Sequence, residues 1–225
     1  MGVLGKSGYG RIAAALVYLG LAFAAPQGRA DSIDLLPSAP DMPLGGDDDR
    51  PTTAWKEFCR RLPAECAIDR DEPAVLTLTP ATWSLLKSVN QRVNETITPI
   101  TDQAHWGVGD RWDYPDDGKG DCEDIQLLKR KLLAEAGLPR RAMRMTVVID
   151  AEGDGHAVLT VRTDAGDLIL DNKRDAVLAW NETGYEFIKR EGSDTKAWVA
   201  LGGEPARTVV ASRSVRKAAA GPAPR

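Results

Sequence analysis

Gly120-Asp121-Cys122-Glu123-Asp124-Ile125-Gln126-Leu127-Leu128-Lys129-Arg130-Lys131-Leu132-Leu133 is the stretch on which the fold turns. Ile125, Leu128, Leu132 and Ala136 recur at helical spacing, Lys129, Arg130 and Lys131 fall toward the far side, and Gly137 and Pro139 are stop signals. The helix therefore begins at Gly120-Asp121-Cys122. Downstream the apolar period changes from about 3.6 to about two. Met143, Met145, Val147 and Ile149 alternate with other residues, as do Ala157, Leu159 and Val161, and Leu168 to Asp171 forms a third short segment. Glu152-Gly153-Asp154-Gly155 and Asp164-Ala165-Gly166-Asp167 read as tight connections between these strands, and a further pair is predicted at Tyr185 to Arg190 and Lys196 to Leu201.

Upstream, Trp55 to Leu62 reads as a short helix stopped by Pro63. Thr79-Pro80 places a capping hydroxyl before a first-turn proline, and Leu85, Leu86, Val89, Val93 and Ile97 continue a second helix to about Thr96. Both are core-facing scaffold. Residues 101–120 form a long loop dense in Gly, Asp and Trp, a length that tends to carry function. Trp106 is expected in the core and Trp112 at the cleft or as a half-buried anchor. Helices first and an antiparallel sheet second predict an α+β architecture.

The ends of the chain are of a different character. Lys6 and Arg11 precede an apolar run from Ile12 to about Ala25, no acid occurs before Asp31, and small Gly28 and Ala30 precede a cleavage position. This is the profile of a signal peptide over residues 1–30, with an uncleaved anchor as the alternative, and it predicts a periplasmic or secreted protein. Residues 31–53 are rich in Asp, Pro and Gly and read as a flexible acidic leader, 54–203 as the folded domain, and 204–225 as a disordered basic tail. Removing residues 1–30 takes away Lys6, Arg11 and Arg29 and no acid, so the formal charge falls from -4 to -7 over 195 residues. An acidic chain gains nothing from counterion release, which argues against nucleic acid or anionic lipid as the main partner. The length suits one domain and a monomer.

Three cysteines in an exported chain leave one over. Seven helical residues would hold Cys59 and Cys66 about 10 Å apart, beyond disulfide reach, but the break at Pro63 lets the chain fold back and pair them. Cys122 is then a free thiol in the first turn of a helix, where unpaired N–H groups and the macrodipole favour a thiolate. His156 opens a strand after a glycine-rich turn and Asp171 closes the next strand, so a hairpin makes them neighbours. Nucleophile Cys122, base His156 and orienting Asp171 are the parts of a thiol hydrolase.

Gly120-Asp121-Cys122-Glu123-Asp124, His156-Ala157-Val158-Leu159 and Leu170-Asp171-Asn172, in that order and spacing, resemble the bacterial transglutaminase-like cysteine proteinases, the group that includes periplasmic LapG-type adhesin proteases. The resemblance covers about residues 55–202. It implies a papain-like, transglutaminase-like fold, a Cys122–His156–Asp171 triad and peptide hydrolysis through a thioester. It further implies calcium held by Asp121, Glu123 and Asp124, a surface adhesin as protein substrate, and restraint by an inner-membrane receptor for cyclic di-GMP.

The residues themselves leave alternatives open. Asp110, Asp113, Asp116, Asp117, Asp121, Glu123 and Asp124 supply hard oxygen ligands that suit calcium, without matching an EF-hand loop. Asp121 and Glu123 equally suit a purely local role as helix cap and dipole complement. The same triad serves acyl transfer to an amine, and a non-catalytic binding module shares the fold. Zinc held by Cys122, His156 and Asp171 is disfavoured because no closely spaced ligand pair exists. His105, with no partner motif, is expected to be structural or exposed.

Overall fold

The computed structural model describes Gly2, residues 36–194 and residues 197–202. The expected signal peptide, apart from Gly2, and the expected basic tail lie outside the described residues. In chain order the elements are strand β1 (Leu44–Asp49), helices α1 (Thr53–Arg61) and α2 (Pro80–Thr96), strand β2 (Thr98–Pro99), helix α3 (Asp102–His105), strand β3 (Lys119–Gly120) and helix α4 (Cys122–Glu135). Strands β4 (Met143–Ile149), β5 (Gly155–Thr163), β6 (Gly166–Asp171), β7 (Arg174–Ala179), β8 (Glu186–Glu191) and β9 (Trp198–Leu201) follow among the described residues. The large sheet runs β1-β9-β8-β4-β5-β6-β7 with every pair antiparallel, and β2 and β3 form a small parallel pair. This is the predicted α+β architecture, with β1 added to the sheet from ahead of the helices.

Local chemistry explains the helix starts. Thr52 Oγ1 accepts the Trp55 N–H at the head of α1, and Thr79 Oγ1 accepts the Thr82 N–H before Pro80 opens α2. After α1 the chain turns through Pro63–Cys66, and Cys59 pairs with Cys66 across a Cα separation of 5.5 Å. Helix α4 packs on β5 and α2, and α2 also covers β7. The main core joins Phe58, Leu86, Val93, Ile125, Leu133, Met145 and Leu159, among others. Met42, Val148, Val158, Ile169, Phe187 and Leu201 form a smaller cluster.

Several expectations give way here. The leader predicted over 31–53 contains β1, which pairs with β9, and Met42 is buried with its N–H donated to Asp167 at 2.9 Å. Gly45 serves close packing rather than looseness: a Cβ on it would come within 1.8 Å of the Gly202 carbonyl oxygen. The loop predicted over 101–120 contains α3 and β3. Trp106 is 43% exposed and stacks on His105, whereas Trp112 is buried in edge contact with Trp55 and Trp198. Trp106 sits at the C-terminal cap of α3, so the face that α3 turns inward is that of Asp102 instead. Lys129 and Arg130 are buried, because α4 is covered nearly all round.

Candidate active site

The sequence Gly-Asp-Cys at 120–122 has a steric reason to begin with glycine. A Cβ at Gly120 would lie 2.8 Å from the Asp124 Cβ and 3.2 Å from that of Pro115, so only glycine lets β3 pass so close to the first turn of α4. Asp121 occupies the cap position, yet its side chain makes no capping bond. The helix therefore presents Cys122 at its first residue with its leading N–H groups uncapped by that carboxylate.

Cys122 is a free, partly buried thiol. Its sulfur donates to Glu123 Oε2 at 3.0 Å and receives the backbone N–H of Ala157, the residue after His156. Packing of α4 on β5 is thus what brings the thiol to the strand that carries the imidazole. Burial, followed by the neighbouring Glu123 and Asp121 carboxylates, pushes the thiol well above its ordinary range. The expected depression by the helix dipole is outweighed, because burial disfavours the thiolate and the two neighbouring acids add to that penalty.

His156 and Asp171 meet as the hairpin predicts. Leu159 pairs with Leu170, and beyond that pair His156 Nε2 hydrogen-bonds Asp171 Oδ1 at 2.8 Å with both side chains buried. Asp171 Oδ1 also accepts the Lys173 N–H, and Oδ2 accepts the Tyr185 hydroxyl at 2.6 Å. Burial would raise the Asp171 pKa, but the His156 bond and charge, the Lys173 N–H and the Tyr185 hydroxyl together hold it down to about 2. Its main chain is fixed as well: Asn90 Oδ1 accepts the Asp171 N–H at 3.1 Å, and Asn94 Nδ2 donates to the Asp171 carbonyl at 3.0 Å. Tyr185 stands edge-on to the His156 ring, 6.0 Å between centroids.

Next to the thiol lies a group of acids. Oxygens of Asp102, Asp121 and Glu123 lie within 4.8 Å of one another, and Asp110 hydrogen-bonds Glu123 and Trp112. Burial pushes Asp121 up to about 7, with the charge of Asp102 adding to it, and burial and Asp121 push Glu123 well above the usual carboxylate range. Asp110 Oδ1 and Asp121 Oδ1 are buried without a hydrogen-bond partner. Asp124, expected among the ligands, is elsewhere: its Oδ1 accepts the Asp113 N–H at 2.7 Å, and burial lifts it to about 8.

The sequence profile of the bacterial transglutaminase-like cysteine proteinases, BTLCP, matches residues 45–206, which spans most of the chain and every residue just described. The chain belongs to this family. It is accordingly a cysteine peptidase, and its mixed helix and antiparallel sheet is the transglutaminase-like fold. Solved structures of Legionella pneumophila LapG are similar. One is 23% identical over 56% of this chain and 71% of that chain, with a TM-score of 0.45. The calcium-bound form is 22% identical over 61% and 77%, with a TM-score of 0.47, and the EGTA-treated form is 23% identical over 56% and 69%, at 0.45. No curated protein matches the chain.

Sequence reasoning missed two residues of this BTLCP site. Asp102 lies 19 residues before Asp121 in a stretch read as loop, and its one signal was Thr101, whose side chain accepts the Ala104 N–H at the head of α3. Tyr185 was read only as the start of a strand. The Trp112 indole, expected at the cleft or as a half-buried anchor, is buried and turned toward Asp110. His105 Nε2 pairs with Asp117 at 2.9 Å, in keeping with a structural place.

Proposed function

We propose that this cysteine peptidase is a periplasmic endopeptidase in which Cys122 is the nucleophile, His156 the base and Asp171 the residue that orients it. The observation that carries this reading is the buried His156–Asp171 bond, on the strand whose Ala157 N–H reaches the Cys122 sulfur. With Nε2 committed to Asp171, Nδ1 of His156 is the nitrogen left to take the thiol proton. The sulfur then adds to the scissile carbonyl carbon, and the first N–H groups of α4 offer hydrogen bonds to the oxyanion. The C–N bond breaks, the amine leaves with the proton from His156, and water activated by the same imidazole hydrolyses the thioester.

A divalent cation fits the Asp102, Asp121 and Glu123 group. The donors are all hard oxygens, suited to calcium rather than zinc, and two buried carboxylate oxygens nearby lack any partner. When bound, calcium neutralises the carboxylates that flank the thiol and favours the thiolate. The protein substrate is an exported or surface protein, with an adhesin and a cyclic di-GMP receptor in the inner membrane as the partners that family resemblance supports. The Cys59–Cys66 disulfide suits an oxidising compartment, and among the described residues no helix is long and apolar enough to cross a membrane.

Labelling with iodoacetamide at neutral pH tests the thiol: modification of Cys122 should be lost in His156→Ala, and equal labelling of both proteins refutes the pairing. Surface and released proteins compared between wild type and Cys122→Ala should differ by cleaved fragments. Amine incorporation without peptide release would instead assign acyl transfer.

A further inference from the structure

Away from the thiol, the turn closed by Cys59–Cys66, the start of β4 and the hairpin between β8 and β9 enclose a cavity of about 200 Å³. Cys122, His156 and Asp171 do not line it. Its lining combines apolar Trp55, Ile68 and the disulfide with Arg130, Arg140 and Arg144, and Arg130 lies over the Trp55 ring at 5.4 Å.

These arginines are compensated unequally. Arg130 donates to Glu191 at 2.7 Å and Arg140 is paired with Glu65. Both carboxylates are further engaged, Glu191 by the Met145 N–H at 2.8 Å and Glu65 by the Tyr114 hydroxyl at 2.5 Å. Arg144 is 5% exposed and finds only main-chain carbonyls: Nε donates to Arg141 at 2.8 Å and Nη1 to Gly192 at 3.0 Å. No carboxylate of the described residues forms an ion pair with it. Arg130 Nε, in the same wall, is buried and without a partner. Lys56 also lines the cavity, so four cations face two carboxylates that are already engaged. Burial holds the Arg144 guanidinium down and Glu191, already bonded to Arg130, offsets this only in part; a guanidinium withdrawn from water without a counter-charge of its own costs several kcal/mol, and the cost falls when an anion completes the pair.

We propose that this cavity binds a carboxylate carried on an apolar body, with the carboxylate taken by Arg144 and the body resting against Trp55 and Ile68. A guanidinium fork matches a carboxylate in two parallel hydrogen bonds, which a point charge does not. The volume is below the roughly 300–1,000 Å³ of sites for drug-sized ligands and suits an aryl acid or the last residue of a peptide.

Sodium benzoate titrated calorimetrically into the full chain should bind saturably, and neutral benzamide at least about tenfold more weakly, the margin one lost charge-assisted hydrogen bond gives. Arg144→Gln should weaken benzoate by a similar factor while peptide cleavage is unchanged. Ala67→Trp, a substitution at an exposed lining position, should block binding and serves where Arg144→Gln fails to fold. Tighter binding of N-acetylphenylalanine than of benzoate assigns the site to a peptide C-terminus, and the reverse order to a free acid. Absence of saturable benzoate binding, equal affinity for benzamide, or benzoate binding that survives both Arg144→Gln and Ala67→Trp overturns the proposal.

Discussion

Helix α4 buries opposite charges at two places, and the two are handled in opposite ways. Its first turn gathers Glu123 and Asp124 beside Asp121 and Asp102, with no basic side chain hydrogen-bonded to any of them among the described residues; Asp110 Oδ1 and Asp121 Oδ1 are left orphaned. Two turns later Lys129 donates to Asn90 Oδ1 at 2.8 Å and Arg130 to Glu191 at 2.7 Å. The mid-helix cations are answered from within the chain, whereas the acids at the helix start repel one another. Arg130 has a carboxylate for its partner, as a buried structural charge needs, while Lys129 has only a neutral amide. Like charges left together are what a cation site needs, and they weaken the fold until it is filled.

If that contrast is right, deleting an acid has opposite signs at the two places. The largest effect belongs to Glu191→Gln, which strands the buried Arg130 guanidinium. A loss of about 3 kcal/mol is expected, a fall in Tm of roughly 6–12 °C for a chain of this size. An unchanged Tm would mean that water already compensates Arg130.

Lys129→Met comes next. Burial holds the Lys129 ammonium down to about 7, with Asp171 and Asp175 opposing that shift. Between this pH and the ordinary lysine value of 10.5, the unfolded chain keeps a proton that the folded chain has released, so stability rises with pH across that window. Below about pH 7 both states carry the charge and the folded state bears its burial. The substitution should therefore stabilise by about 1–3 kcal/mol at pH 6 and lose this advantage as pH approaches 10.5. Denaturant unfolding at the two pH values reads the difference.

The smallest shift, with the opposite sign to Glu191→Gln, is expected of Asp121→Asn. A carboxyl raised to about 7 gives the folded state an extra proton between roughly pH 4 and 7, and the associated stability is lost as pH rises through 7. At pH 8 in EGTA the amide should raise Tm by a few degrees and abolish the further rise that calcium produces. Asp124→Asn should retain the calcium response, because Asp124 stands outside the group of three. Loss of the response in both variants would widen the site; its absence in wild type would remove calcium from the proposal.

What could be read in advance follows the range of the interactions. Cys122 at a helix start, the His156–Asp171 hairpin and the Cys59–Cys66 turn are local patterns, governed by spacing over a few residues to one hairpin, and the sequence displays them directly. Asp102 joins Asp121 through the parallel contact of β2 with β3, and no periodicity marks that contact. Charge usually marks the solvent face of a helix, and by that rule Lys129 and Arg130 point outward. Their burial depends on Asn90 and Glu191, 39 and 61 residues away, and a helical stripe cannot show such partners. β7 was missed because Arg174-Asp175-Ala176 hides the alternation of a sheet-edge strand.

The segment before α1 is sewn to the sheet at separate points. Ala39 donates to the Ala165 carbonyl, Pro40 accepts the Trp180 indole and Met42 bonds to Asp167, while Gly166 has no room for a Cβ against Ala39. An expression boundary set where the family match begins, at residue 45, would cut these stitches and leave the buried Asp167 carboxylate without the Met42 N–H. One set at residue 54, after β1, would also bare the β9 edge to pairing with other chains. Recombinant versions intended for crystals or assays are best begun upstream of residue 36.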